Sequence, residues 1–211
     1  MTEQPVLYYN PMSRARIAHW MLEEVGAPYR IELLSFEKAE HKKPDFLALN
    51  PMGKLPTLLH RGAVVTESAA ICTYLADAFP AAALSPALDS PERATYLRWL
   101  FFGAGCLEPA IIDRMLSRPA PERRSALGYG CYEDVLYALE QAITPGPFIL
   151  RERFSAADVY IASQIGFGMM TKSLEPRPAF QAYLARTAER PAYKRFTEQA
   201  QMYSDRLKPQ G

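Results

Sequence analysis

Residues 41–71, HKKPDFLALNPMGKLPTLLHRGAVVTESAAI, constrain this chain more than any other stretch. Two short apolar runs, Thr57–Leu59 and Ala63–Val65, flank His60-Arg61-Gly62, which reads as a hairpin with Gly62 at the permissive turn position. Pro56 cannot donate to a ladder, so it belongs at the strand's entrance, where a cis bond is compatible. After the second run, Thr66-Glu67-Ser68 leads into a helical pattern carrying Ile71, Tyr74, Leu75 and Ala78. A strand, a sharp turn and a helix N-terminus leave backbone N–H groups free to hold an anion. Ser68 adds a hydroxyl and Glu67 a carboxylate, so the site suits a zwitterion.

The segments before it supply the rest of a small α/β unit. Pro5–Tyr9 is strand-like, Asn10-Pro11-Met12-Ser13 breaks it, and Ile17, Ala18, Met21, Leu22 and Val25 form one face of a helix that Gly26 and Pro28 close. Tyr29–Leu34 reads as a second strand and Pro44–Leu49 as a short helix. The order β-α-β-α-β-β-α is the thioredoxin-like layout, assigned to residues 1–81. Phe79–Pro86 is a Pro-punctuated connector, beyond which no convincing strand is seen. Residues 90–211 read as an all-α domain. Ser90-Pro91 starts a long helix expected to kink near Pro109, Pro121–Ile143 is expected as a second helix, and Ser155-Ala156-Ala157-Asp158 is a capping box with Phe154 and Val159 as its staple. Pro178–Ala188 and Pro191–Tyr203 read as two further helices.

The 24 basic and 23 acidic residues leave a net charge of +1, without a dense basic run. That argues against nucleic acid or an anionic membrane as the main partner. No apolar run approaches a membrane span, and the first residues lack a signal-peptide pattern, so a cytoplasmic protein is expected. Cys72, Cys106 and Cys131 form no CxxC or metal spacing, and no metal is expected. Cys72 reads as a buried small apolar residue.

The segments EHKKPDFLALNPMGKLP and TESAAI resemble the glutathione-binding half of cytosolic glutathione S-transferases. The first is most similar to the phi-class pattern, a His-Lys pair before an NPxG-x-[VI]-P turn. The second is similar to the Glu-Ser pair that receives the γ-glutamyl end of glutathione. Met12-Ser13 matches the phi-class Met-Ser at the junction of first strand and first helix. The resemblance extends to the length and layout of the whole chain and is sharpest over the first third.

It implies glutathione as co-substrate and a serine-type site, in which Ser13 donates to the thiol sulfur from a helix N-terminus. Lowering a thiol pKa by about two units takes roughly 2.7 kcal/mol of preferential interaction with the anion. A hydroxyl and the helix dipole together can supply that. Ser13 could equally be a plain helix cap. Tyr8 is the rival donor, aligning with the catalytic tyrosine of the sigma and pi classes, with Tyr9 on the opposite face and Asn10 also in reach. No cysteine stands at this junction, so mixed-disulfide chemistry is not expected. The resemblance further implies that Leu55, held by Pro56, pairs its main chain with the cysteinyl unit. Glu67 and Ser68 take the γ-glutamyl end, and His41, Lys42 and Lys54 take the glycyl carboxylate. A solvated basic face is the alternative for those three cations.

The expected second substrate is a small apolar electrophile or an organic hydroperoxide, met by Met12, Trp99, Phe102 and Cys106, with Gly103, Met115, Tyr129, Met169 and Met170 as further candidates. The family also implies a homodimer and a role in detoxification. The competing readings are a non-catalytic glutathione-binding or interaction module and a maleylacetoacetate isomerase-like enzyme, whose serine-rich motif is missing before Arg14.

Overall fold

The computed structural model describes residues 4–120 and 122–208. Met1–Ala82 and Arg190–Gly211 group into one unit by main-chain proximity, and Ala83–Glu189 into another. The first is built on a four-stranded mixed sheet in the order β2-β1-β3-β4, from β1 (Val6–Tyr9), β2 (Arg30–Leu33), β3 (Thr57–His60) and β4 (Ala63–Thr66). β1 and β2 are parallel, as a helical crossover requires, whereas β3 runs antiparallel to both its neighbours. The crossover is α1 (Ala15–Val25), and Gly26 closes it with its N–H on Leu22 O at 3.0 Å. A short helix α2 (Pro44–Leu49) and the helix α3 (Ser68–Ala78) complete the thioredoxin-like arrangement. The Arg61-Gly62 turn has φ of 51° and 82°, the paired positive values of a two-residue hairpin turn. Leu7, Trp20, Met21, Leu58, Ile71 and Leu75 form the buried centre of this unit, and Cys72 is fully buried beside them.

The final helix, α9 (Pro191–Leu207), packs along α1 within this unit. Aromatic and ionic contacts both explain the docking. Phe196 stacks against Trp20 at 6.4 Å, Arg190 forks onto Glu24 at 2.8 and 2.6 Å, and Arg195 meets Glu23 at 2.7 Å. Both glutamates are buried, so these pairs carry more weight than surface ones.

The second unit is helical, with two small isolated bridges, Phe148–Arg151 and Leu150–Arg153. Its first helix, α4 (Glu92–Phe102), widens into a π turn over Gly103–Leu107 and resumes as α5 (Glu108–Met115). The expected interruption at Pro109 therefore takes the form of a π turn just before it. Pro109 then lies in the first turn of α5, where a missing N–H costs least. The expected helix Pro121–Ile143 needs correction. Pro121 lies outside the described residues, 122–131 hold only the 3₁₀ turn Arg124–Ala126, and α6 starts at Tyr132 and ends at Ile143. Gly128 and Gly130 disfavour helix on either side of Tyr129, and Cys131 is extended. Glu133 and Asp134 then occupy the first turn of α6, where acids favour the helix dipole. The capping box forms as expected and opens α7 (Ala156–Met170), followed by α8 (Pro178–Ala188). Among the described residues no helix is long and apolar enough to cross a membrane.

Candidate active site

Strand register decides which expected residues meet. Tyr8 pairs with Thr57, and Thr57 in turn with Thr66. The end of β1, the entrance to β3 and the end of β4 therefore lie side by side at one edge of the sheet. Ser13 follows the first, Leu55-Pro56 precedes the second, and Glu67-Ser68 follows the third. Three segments well separated in sequence thus converge on one margin.

The β1–α1 loop is held from within. The Ser13 hydroxyl donates to Asn10 O at 2.7 Å and accepts the Ala15 N–H at 3.1 Å. The Ser13 N–H reaches the same Asn10 O at 3.1 Å. Ser13 is therefore not the cap of α1, a position held by Arg14 without a side-chain bond, but a half-buried residue that ties the loop before it. Asn10 itself is buried, with one amide N–H donated to Leu34 O and its Oδ1 accepting the Met12 N–H. Tyr8 and Tyr9 face opposite ways. The Tyr8 ring packs on Phe46 of α2 at 5.4 Å, and its hydroxyl has no partner among the described residues. Tyr9 packs on His19 of α1 at 5.0 Å and is fully buried, which pushes its phenol up to about 12. Tyr9 is core.

At the second segment the Leu55–Pro56 bond is cis, matching the position expected for it. Neither the N–H nor the C=O of Leu55 makes a turn or loop hydrogen bond among the described residues, so both are free to pair with an extended peptide. Asn50, which sequence reasoning passed over, braces this loop. Its Nδ2 donates to Lys54 O at 2.9 Å and to Thr57 Oγ1 at 3.1 Å, and its Oδ1 accepts the Met52 N–H at 3.1 Å. The signal that could have found it is the repeated Asn-Pro-Met of 10–12 and 50–52.

The cations differ among themselves. Lys42 donates through Nζ to Met52 O at 3.1 Å and so closes over Gly53. His41 packs edge-on against Phe36 at 4.8 Å, with its Nδ1 buried and unpartnered. The Lys54 side chain is exposed and has no partner among the described residues.

At the third segment Glu67 sits at φ 66°, ψ 122°, a conformation that costs energy for a non-glycine residue and that clusters at ligand sites. Its carboxylate is exposed and caps nothing. Ser68 is buried at the first position of α3, and its hydroxyl has no partner among the described residues. The first turn of α3 holds no acidic residue to neutralise its dipole.

Of the expected electrophile contacts, Met12 belongs to the first unit and is 83% exposed. Trp99, Phe102 and Cys106 belong to the second. Trp99 is buried, packs on Phe102 at 4.9 Å, and lines a groove of about 580 Å³ with Thr95, Arg98, Tyr137 and Gln141. Neither Phe102 nor Cys106 lines that groove. Cys106 instead points its thiol at Gly128 O, and burial pushes that thiol up. No group of three His, Cys, Asp or Glu among the described residues is placed to hold a metal.

The family described as glutathione S-transferase, N-terminal domain, matches residues 4–77. The chain is 30% identical over 189 residues to glutathione S-transferase GstA of Escherichia coli O157:H7, covering 88% of this chain and 93% of that one. It is similar in structure to a glutathione transferase from Methylococcus capsulatus, with TM-score 0.76 and 29% identity over 94% of this chain and 99% of that one. It is also similar to a glutathione transferase from Phanerochaete chrysosporium in complex with oxidized glutathione, with TM-score 0.78 and 26% identity over 95% and 98% of the two chains.

Proposed function

This chain belongs to the cytosolic glutathione S-transferase superfamily, and from that premise we propose that it binds glutathione along the sheet edge and activates its thiol for transfer. The observation that carries the proposal is the register that aligns Ser13, Leu55-Pro56 and Glu67-Ser68 on one margin, the last two segments with free polar groups.

In this reading the γ-glutamyl carboxylate takes the Ser68 hydroxyl and the N-terminal N–H groups of α3, and Glu67 takes the ammonium. The cysteinyl unit pairs with the free main chain of Leu55 as an added short strand. Lys54, Lys42 and His41 are assigned the glycyl carboxylate, with Lys54 the readiest because its ammonium is unengaged.

The sulfur then lies at the β1–α1 junction, and Ser13 is the assigned donor. Its hydroxyl must turn from Asn10 O towards the sulfur, giving up a neutral hydrogen bond of about 1 kcal/mol. Asn10 O keeps the Ser13 N–H, so the carbonyl is not orphaned. A bond to a charged partner is worth about 1.5–3 kcal/mol, so the exchange favours thiolate. The N-terminal dipole of α1 adds to it, since no acidic side chain occupies that first turn. Tyr8 is the second reading, favoured by its unengaged hydroxyl on the opposite face from Tyr9.

Residues 1–81 are thus assigned to glutathione and 90–211 to the electrophile. The proposed electrophile contacts there are Trp99, Phe102 and Cys106. An apolar electrophile or an organic hydroperoxide fits this largely apolar set. Transfer then needs little beyond proximity and orientation. A homodimer in a reducing cytoplasm follows from the family reading.

The test is a titration of the glutathione complex that follows thiolate absorbance with pH. A bound-thiol pKa well below the free value of about 8.5, restored by Ser13→Ala, is the expected result. Binding with an unshifted thiol would make the protein a glutathione-binding module instead.

A further inference from the structure

Two loops of the first unit, Asn10-Pro11-Met12-Ser13 and Asn50-Pro51-Met52-Gly53, use one device. In each, a buried asparagine, 3% exposed at position 10 and 4% at position 50, accepts the N–H two residues on, at 2.8 Å for Met12 and 3.1 Å for Met52. In each, the amide nitrogen donates to a main-chain carbonyl, at 2.7 Å for Asn10 and 2.9 Å for Asn50. The targets differ. Asn50 ties its loop to Lys54, four residues away and next to Leu55. Asn10 reaches Leu34, twenty-four residues away and the first residue after β2.

The Asn10 bond therefore anchors the β1–α1 loop to the residue that follows β2. The same residue's carbonyl receives both the N–H and the hydroxyl of Ser13. Where Asn10 is held thus fixes where the Ser13 hydroxyl points and how far it turns.

We propose that Asn10 is a positioning residue for thiol activation, tying the Ser13 hydroxyl to the chain just after β2, while its twin Asn50 does the corresponding work for the peptide-pairing residue Leu55. The proposal rests on the reading of Ser13 given above. It separates two functions over two loops. Disturbing the first should weaken thiolate formation with glutathione still bound, and disturbing the second should weaken binding with the thiol still activated.

The experiment compares Asn10→Ser, Asn10→Ala, Asn50→Ala and Ser13→Ala, measuring for each the glutathione dissociation constant and the bound-thiol pKa. Serine at position 10 can still accept the Met12 N–H, as hydroxyls do in such turns, but is too short to reach Leu34. It keeps the test alive if the alanine variant does not fold. The expected result for Asn10→Ser is a bound-thiol pKa higher by about one unit, roughly a threefold loss of thiolate at pH 7 and nearly tenfold at about pH 5.5, with affinity within about twofold of wild type. Asn50→Ala should show the reverse pattern. If Ser13→Ala raises the pKa while Asn10→Ser leaves it unchanged, the Asn10 proposal is overturned and the serine reading stands. If affinity and pKa move together in Asn10→Ser, the residue is a general brace and the proposal is wrong. If Ser13→Ala leaves the pKa where it was, the serine reading fails and takes this proposal with it.

Discussion

The Nε2 nitrogen of His19 lies 3.1 Å from Oε1 of Gln199, and this contact fixes the tautomer of a fully buried ring. The neighbouring Tyr29 hydroxyl donates to Glu23 at 2.5 Å, so the 3.0 Å contact between Tyr29 and His19 must also take its proton from Nε2. Nδ1 is left as a buried lone pair without a donor. A second proton there would be an unsolvated charge. Burial, aided by the Arg16 charge and opposed by the Gln199 bond and the Glu23 charge, lowers the ring pKa to about 4.

Acid stability follows from that shift. The unfolded chain takes up this proton near pH 6.5 and the folded one only near 4, so between them the unfolded state holds more protons. Stability from His19 is thus intact above 6.5 and falls as the pH drops through this window, by about 2 kcal/mol between pH 7.5 and 5. Urea midpoints at those two pH values should separate less in His19→Gln than in wild type. Equal separation would refute the assignment. Glu23 works in the same direction at lower pH. Burial alone would raise its carboxyl, but bonds from Tyr29, Arg195 and Gln199 hold it below its ordinary range.

Asp158 should be the most sensitive position in the second unit. Its buried carboxylate accepts the Ile149 N–H at 2.8 Å, the Ser155 N–H and hydroxyl at 2.9 Å each, and the Tyr183 hydroxyl at 2.8 Å. Asp158→Ala strands four donors in the interior, with an expected cost of about 3–5 kcal/mol. In calorimetry that is a drop in Tm of roughly 10 °C or more. A drop below about 2 °C would show that the interior rearranges to serve those donors.

Ser13→Ala should lower conjugation at pH 7 by roughly 20- to 30-fold by raising the thiol pKa about two units, while Tyr8→Phe should leave the rate within a few-fold. Steady-state rates across pH 6–9 separate the two donors. The opposite pattern would move the chemistry to Tyr8.

At the γ-glutamyl end, Ser68→Ala and Glu67→Gln each remove one bond to a charged group, worth about 10- to 100-fold in glutathione affinity. Calorimetric titration reads this directly. Unaltered affinity in both variants would dissolve the anion site at the start of α3.

Gly53→Ala tests the loop that presents Leu55. A β-carbon there would stand 2.6 Å from Lys42 Nζ and 2.9 Å from His41 O, at φ 58°. The lysine tip can yield and the carbonyl cannot, so a loss of about 1–3 kcal/mol is expected, with weaker glutathione binding. A variant as stable as wild type would mean that the 41–53 segment shifts freely.

Local chemistry made much of this molecule legible from residues alone. Leu55-Pro56 at a strand entrance, Arg61-Gly62 at a hairpin turn, Ser155 and Asp158 at a helix start and Gly26 at a helix end all act over a few residues, so the sequence determined those elements without reference to the rest. The candidate ligand contacts were legible for the same reason, together with a family likeness carried by short segments. The apolar pattern that suggests helix over 121–143 belongs to 132–143, and Gly128 and Gly130 disfavour helix ahead of it. Tertiary structure alone decided the rest. Sequence spacing cannot say that His19 and Glu23 would be covered by Gln199 and Arg195, nor that Tyr9 would be core while Tyr8 faces α2. Nor can it say that Asn10 would spend its amide on Leu34. A side chain's partner is set by which surfaces meet when distant segments pack, and desolvation then fixes its charge and its remaining hydrogen-bonding capacity.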